Sequence, residues 1–160
     1  MTNNLENKIV FLDIDGVLNS SLSLYSGCSN NNKWSIDKNI ISAYKKFSEK
    51  HNLKTVIISN WREKVQNNQE MEKIIFDDCG VNLNIHGLTP VLNKKRGFEV
   101  EYYINNNDIK NYVIIDDQAN FLDNQLDRFI KTDIALGMTI YDLKKIAEKL
   151  NIIDLELKFL

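Results

Sequence analysis

Two rhythms of apolar and polar positions run along the chain. Short unbroken apolar runs rich in β-branched residues occur at KIVFLDI, KTVIIS and NYVIID. Such runs read as strands buried on both faces. RFIKTD is a weaker run of the same kind, and VNLNIHG a short one that ends in a loop around Thr89 and Pro90. Between them the apolar residues recur every three to four positions, the helical period. Ser35 offers an N-cap to a helix that turns Ile36, Ile40, Ile41, Tyr44 and Phe47 inward. Residues 62–78 read as one helix with Val65, Met71, Ile74 and Ile75 inward and Gly80 as its stop. A short helix is expected over 97–104, and Thr139 with Asp142 three positions on opens a last one through Leu150. Residues 18–33 are polar and read as a loop. The tail IIDLELKFL fits either an edge strand or a packed helix.

Strands that alternate with helices predict an α/β fold: a Rossmann-like three-layer α/β/α sandwich with a mainly parallel sheet, in one domain spanning 1–160. In such sheets ligands bind beyond the carboxyl ends of the strands. The polar residues there are Asp13 and Asp15 after the first strand, Ser59 after the second, and Asp116 with Asp117 after NYVIID.

Composition narrows the partners. A net charge of −2 argues against strong non-specific nucleic-acid binding, while leaving room for a local basic patch. Cys28 and Cys79 are too few and too far apart for a disulfide framework or a zinc site, and read as free thiols in a reducing cytosol. The first residues, MTNNLENK, hold no signal-peptide core, and no apolar run approaches a membrane span, so a cytoplasmic protein without membrane contact is expected. The asparagine tracts SNNNK and INNND are short and read as loops.

Alternation sends residues i and i+2 of an extended chain to one side, so Asp13 and Asp15 can converge. Two carboxylates held together need a shared proton or a bound cation, unless they only build a turn with Gly16. A calcium loop counted from Asp13 fails, because Leu18 stands where it needs glycine and Leu24 where it needs glutamate. With Asp116 the rim becomes oxygen-rich and suits Mg2+, which takes one or two carboxylates and keeps several waters. Ser59 serves as a helix N-cap or donates its hydroxyl to phosphate. Lys94, Lys95 and Arg96 precede a helix whose dipole they oppose, so they are solvated or meet an anion. Alternation sends Asp116 and Asp117 to opposite faces, which leaves one of them for a metal. Arg62 either faces substrate or lies on the surface.

The order DxDGV, strand-end serine, basic residue, strand-end DD resembles the haloacid dehalogenase-like (HAD) phosphatases over roughly residues 9–150. The segments SNWR, GLTP, RGFEVEYYI, IIDD and TDIALGMT are similar to the small HAD domains of RNA-repair proteins and phage polynucleotide phosphatases. The resemblance implies Asp13 as nucleophile and Asp15 as general acid. It implies Mg2+ held by Asp13, the Asp15 backbone carbonyl and Asp116, and phosphate contacts from Ser59 and Arg96, with Lys95 as the fallback. Asn60, in the phosphate-binding segment, joins the candidates, and Asp117 supports the site from behind. The expected activity is Mg2+-dependent phosphomonoester hydrolysis through an aspartyl phosphate. The expected substrates are nucleotides or phosphorylated RNA or DNA ends, as in nucleic acid repair.

The chain between Asp15 and Ser59, and from Ser59 to Arg96, is too short for a large cap domain. That predicts an open site for a bulky substrate, with Tyr25, Trp34 and Trp61 available to stack bases or to fill the core. Two other readings compete. In a phospho-aspartate receiver the acidic pair follows the first strand and the phosphorylated aspartate the third, the reverse of the order here. A catalytically idle interaction protein would keep the fold without turnover.

Overall fold

A computed structural model describes residues 7–25 and 35–157. Its centre is a five-stranded sheet, all parallel, in the order β3-β2-β1-β4-β5. The strands are β1 (Lys8–Leu12), β2 (Lys54–Ile57), β3 (Ile85–Leu88), β4 (Asn111–Asp116) and β5 (Phe129–Lys131). The helices are α1 (Ser21–Tyr25), α2 (Lys38–Lys50), α3 (Asn68–Cys79), α4 (Arg96–Asn106) and α5 (Ile140–Lys149), with 3-10 turns at Asn60–Lys64 and Asp123–Arg128.

Strand alternation divides the interior in two. Val10, Leu12, Ile57, Val113 and Ile115 pack with α2, α3 and α5, whereas Ile9, Phe11, Val56 and Ile114 pack with α4 and Phe121. Apolar side chains on both sides of every central strand are what the unbroken runs encode. The expected three layers and parallel sheet are therefore present. Among the described residues, helix α1 is the sole regular element between β1 and α2, and no helix is long and apolar enough to cross a membrane.

Four local expectations need correction. Residues 62–78 are not one helix: the 3-10 turn stops at Lys64, and Asn67 caps α3 afresh by accepting from the Glu70 N–H. Asp37 rather than Ser35 caps α2, its carboxylate accepting from the Asn39 and Ile40 N–H groups. The loop expected over 18–33 contains α1, whose first N–H groups donate to the Ile134 and Ala135 carbonyls and whose Ser23 N–H donates to the Ser20 hydroxyl. The described part of the tail, 152–157, is neither strand nor helix, and it is tied down by Asp154, whose carboxylate accepts from Lys50 and pairs with His51 at the end of α2. Thr139 does open α5, with the Asp142 carboxylate accepting from its N–H and hydroxyl. Cys79 is a free thiol; Cys28 and Trp34 lie outside the described residues.

Candidate active site

The strand order reverses about β1, so the carboxyl ends of β1, β2 and β4 open on one crevice. A cavity of about 820 Å³ lies there, lined among others by Asp13, Asp15, Ser59, Asn60, Arg96 and Asp117. Asp13 continues the ladder past β1, its N–H donating to the Ile115 carbonyl at 3.1 Å. Phe11 and Ile114 point into the α4 layer, and two positions further Asp13 and Asp116 leave their strands toward that same side. Helix α4 begins there with Arg96.

Arg96 Nη1 donates to Asp13 Oδ2 at 2.9 Å and also to Asp116 Oδ2, while Nη2 donates to Asn60 Oδ1 at 3.1 Å. Lys95 is exposed at the helix start, and Lys94 lies over the Phe98 ring. Of the basic cluster, then, the guanidinium alone reaches the carboxylates. Its location is held by Gly97, where an added Cβ would come within 2.7 Å of the Leu122 backbone nitrogen and 2.8 Å of Gln125 Oε1. The absent side chain lets α4 sit directly on the 120–125 segment, to which Gly97 N–H donates through the Asn120 carbonyl at 3.0 Å.

Asp117 does not follow the alternation expected of it. Strand β4 ends at Asp116 and the chain bends, with Asp116 Oδ1 accepting from the Gln118 N–H at 2.7 Å. The bend brings Asp117 round to Asp13 and Asp116, and one carboxylate oxygen from each of the three lies within 4.8 Å of the others. Gly16 makes room for this. Its φ is +73°, and a Cβ there would lie 2.7 Å from both Cβ and Cγ of Asp117. The glycine of DIDG is thus required twice, for the left-handed turn and for the approach of a carboxylate.

Electrostatics mark the same place. Burial raises the Asp13 carboxyl, against the Arg96 charge, the Ile14 N–H and the Ser59 hydroxyl. Burial and then the neighbouring Asp13 charge push Asp116 up to about 7, with Arg96 and the Gln118 N–H opposing. Burial leads at both carboxyls, and at Asp116 the neighbouring negative charge adds to it. Three carboxylates face one guanidinium, and they offer only hard oxygen donors. That donor set fits a divalent cation such as Mg2+.

Asp15 is set apart from this cluster. It lies past the strand in a turn, exposed, with Oδ1 accepting from Asn19 Nδ2 at 2.8 Å and Oδ2 from Trp61 Nε1 at 2.9 Å. Ser59 is buried, and its hydroxyl both bonds to Asp13 and caps the 3-10 turn through the Trp61 N–H. The capping role weighed for this strand-end serine is therefore present, and its hydroxyl stands at Asp13 as well.

Arg62 is neither at the surface nor turned to the cavity. It is 4% exposed and donates to the carbonyls of Ile58 at 2.5 Å, Ser59 at 2.8 Å, Thr89 at 3.0 Å and Pro90 at 3.4 Å, and to the Glu99 carboxylate. Burial and Arg96 depress its pKa, against the Glu99 charge. It ties the ends of β2 and β3 to α4. Asn19 was not singled out by sequence reasoning; its place in FLDIDGVLN, four positions after Asp15, is the one signal of it.

A parallel sheet in this order, with Asp-x-Asp-Gly after its central strand and an aspartate pair after the neighbouring one, defines a haloacid dehalogenase-like domain. The chain belongs to the family of HAD domains in Swiss Army Knife RNA repair proteins, whose family model matches residues 9–143. No curated protein matches it. Membership implies a hydrolase of the phosphatase type.

Proposed function

We propose that the chain is a Mg2+-dependent phosphomonoester hydrolase that works through an aspartyl phosphate on Asp13. The observation that carries this reading is the arrangement around Asp13: a buried carboxylate at the mouth of a cavity, bonded by Ser59 and Arg96 and flanked by two more carboxylates. An Asp13 oxygen attacks phosphorus, the bond to the leaving oxygen breaks, and Asp15 gives that oxygen its proton. Asp15, now a carboxylate, takes a proton from water as the water attacks the aspartyl phosphate and frees Asp13. Ser59 and Arg96 orient the transferring oxygens, with Asn60 steadying the guanidinium. Asp13 and Asp116, with the Asp15 carbonyl expected from the resemblance and Asp117 beside them, would hold Mg2+. Bound there, the cation offsets the repulsion between carboxylate and phosphate.

Phosphorylated polynucleotide ends or nucleotides are the substrates we favour. The cavity exceeds what a phosphate alone fills, and its lining also includes Trp61, Ile74, Ile134 and Lys64. A flat apolar base against the lining and a further phosphate on Lys64 would match that surface. The RNA-repair family supports the same class. Phosphate release from 5′- and 3′-phosphorylated oligonucleotides, mononucleotides and sugar phosphates, with Mg2+ or a chelator, tests the reading. Oligonucleotides should be preferred, the chelator should stop release, and Asp13→Asn should abolish it. Turnover that survives Asp13→Asn removes the covalent route.

A further inference from the structure

We propose that Asn19 and Trp61 are positioning residues that hold Asp15 ready for proton transfer; the proposal rests on the phosphatase reading given above. An exposed aspartate on a turn is ordinarily free to change rotamer. Here each of its two oxygens meets an N–H donor, one from either side. Two fixed donors on two different oxygens define the plane of the carboxyl group, which a single bond would not.

The donors are not interchangeable with acceptors. Asn19 is buried at 1% exposure, and its Oδ1 accepts from the Gly16 N–H at 2.8 Å. A backbone N–H can only donate, so the amide must turn its NH2 toward Asp15. The Trp61 indole nitrogen is likewise a donor only. Neither partner can take a proton from Asp15, so a proton it carries remains available to the cavity. Each Asp15 oxygen also keeps a lone pair free for that proton.

The two donors come from different segments. Asn19 belongs to the turn that follows β1. Trp61 belongs to the 3-10 turn that Ser59 caps after β2, so the segment that brings the serine hydroxyl to Asp13 also sets the indole on Asp15. The alternative role for Trp61 is to present its ring as a wall for the leaving group. Trp61→Phe separates the two, because it keeps a ring and deletes the N–H.

The readout is the dependence on the leaving group. In the first step the P–O bond breaks and the departing oxygen takes the bonding pair together with the Asp15 proton. A p-nitrophenolate leaves as a stable anion and gains little from that proton, whereas an alkoxide needs it. The constant kcat/KM covers the steps up to loss of the leaving group, so it isolates this event from hydrolysis of the aspartyl phosphate.

The experiment measures kcat/KM with Mg2+ for p-nitrophenyl, phenyl and ethyl phosphate in the wild-type protein and Trp61→Phe. The ratio of ethyl to p-nitrophenyl phosphate should fall tenfold or more in the variant, with phenyl phosphate between. Equal losses on all three esters, or none, overturn the proposal alone and leave Trp61 as a wall. Wild-type protein that turns over none of them, and releases no phosphate from the oligonucleotides or mononucleotides either, sinks the phosphatase reading and this proposal together. A second measurement does not need Trp61→Phe to fold: the chain has two tryptophans, and Asp15→Asn should move one of the two indole N–H resonances in a 15N-correlated spectrum. Two unmoved resonances overturn the contact.

Discussion

Replacing Arg62 by methionine keeps an unbranched side chain of similar reach and removes the guanidinium. The structure lets the cost be worked out. Glu99, 5% exposed, keeps one remaining donor, the Leu92 N–H at 2.9 Å, and the carbonyls of Ile58, Ser59, Thr89 and Pro90 each lose a partner. Removing one member of a buried ion pair costs about 3–5 kcal/mol, because the other charge is left in a low-dielectric place. For a chain of this size each kcal/mol lowers the melting midpoint by about 2–4 °C, so a fall of roughly 6–20 °C is expected. Urea titration of wild type and variant measures the free energy, with equal slopes required for the comparison. Arg62→Met combined with Glu99→Leu removes both charges, and should be less destabilised than the sum of the single variants by at least about 1 kcal/mol. A loss under about 1 kcal/mol for Arg62→Met, or strict additivity in the pair, would falsify the buried-pair account and return Arg62 to solvent or substrate.

Two further substitutions probe the acid rim and the tail. Gly16→Ala should cost about 2–4 kcal/mol, from a left-handed backbone and a clash with Asp117, and should weaken any Mg2+-dependent rise in the melting midpoint; an unchanged rise and midpoint would contradict the packing described. Burial would raise the Asp154 carboxyl, but bonds from His51, Lys50 and the Glu156 N–H hold it down at about 2. A depressed carboxyl stabilises above its unfolded value near 4 and loses that contribution as pH falls toward 2. The wild type should therefore exceed Asp154→Asn in stability at pH 7, and the gap should close between about pH 4 and pH 2; a gap that widens there refutes the sign.

The layers and the sheet were legible because a buried parallel strand leaves a direct trace: an apolar run without alternation, cut off by a polar residue. The same trace brought Asp13, Ser59 and Asp116 to one rim on paper. What stayed hidden depends on partners distant in the chain or on backbone groups. Nothing near Arg62 shows that four carbonyls and Glu99 will surround it. Asp117 was turned away on paper by a rule that holds only inside a strand, and β4 stops one residue earlier. Ser35 and Asp37 are both good capping residues, two positions apart, and the choice falls on the one whose N–H can donate to the Leu18 carbonyl. Helix α1 has no apolar stripe to betray it, since it is held by hydroxyls and by docking on residues 134–135.

Helix α4 is clamped within its first turn, on one side by Gly97 against residues 120–125 and on the other by Glu99 against Arg62. A helix pinned so near its beginning has no lever with which to swing. Arg96 therefore stands like a fixed post at the gate. Adaptation to substrates of different shape falls to the cavity lining at Ile134, which sits half-exposed on a loop joined to α1 by backbone bonds. Selection for new substrates would be expected to alter that loop and to leave the first turn of α4 as it is.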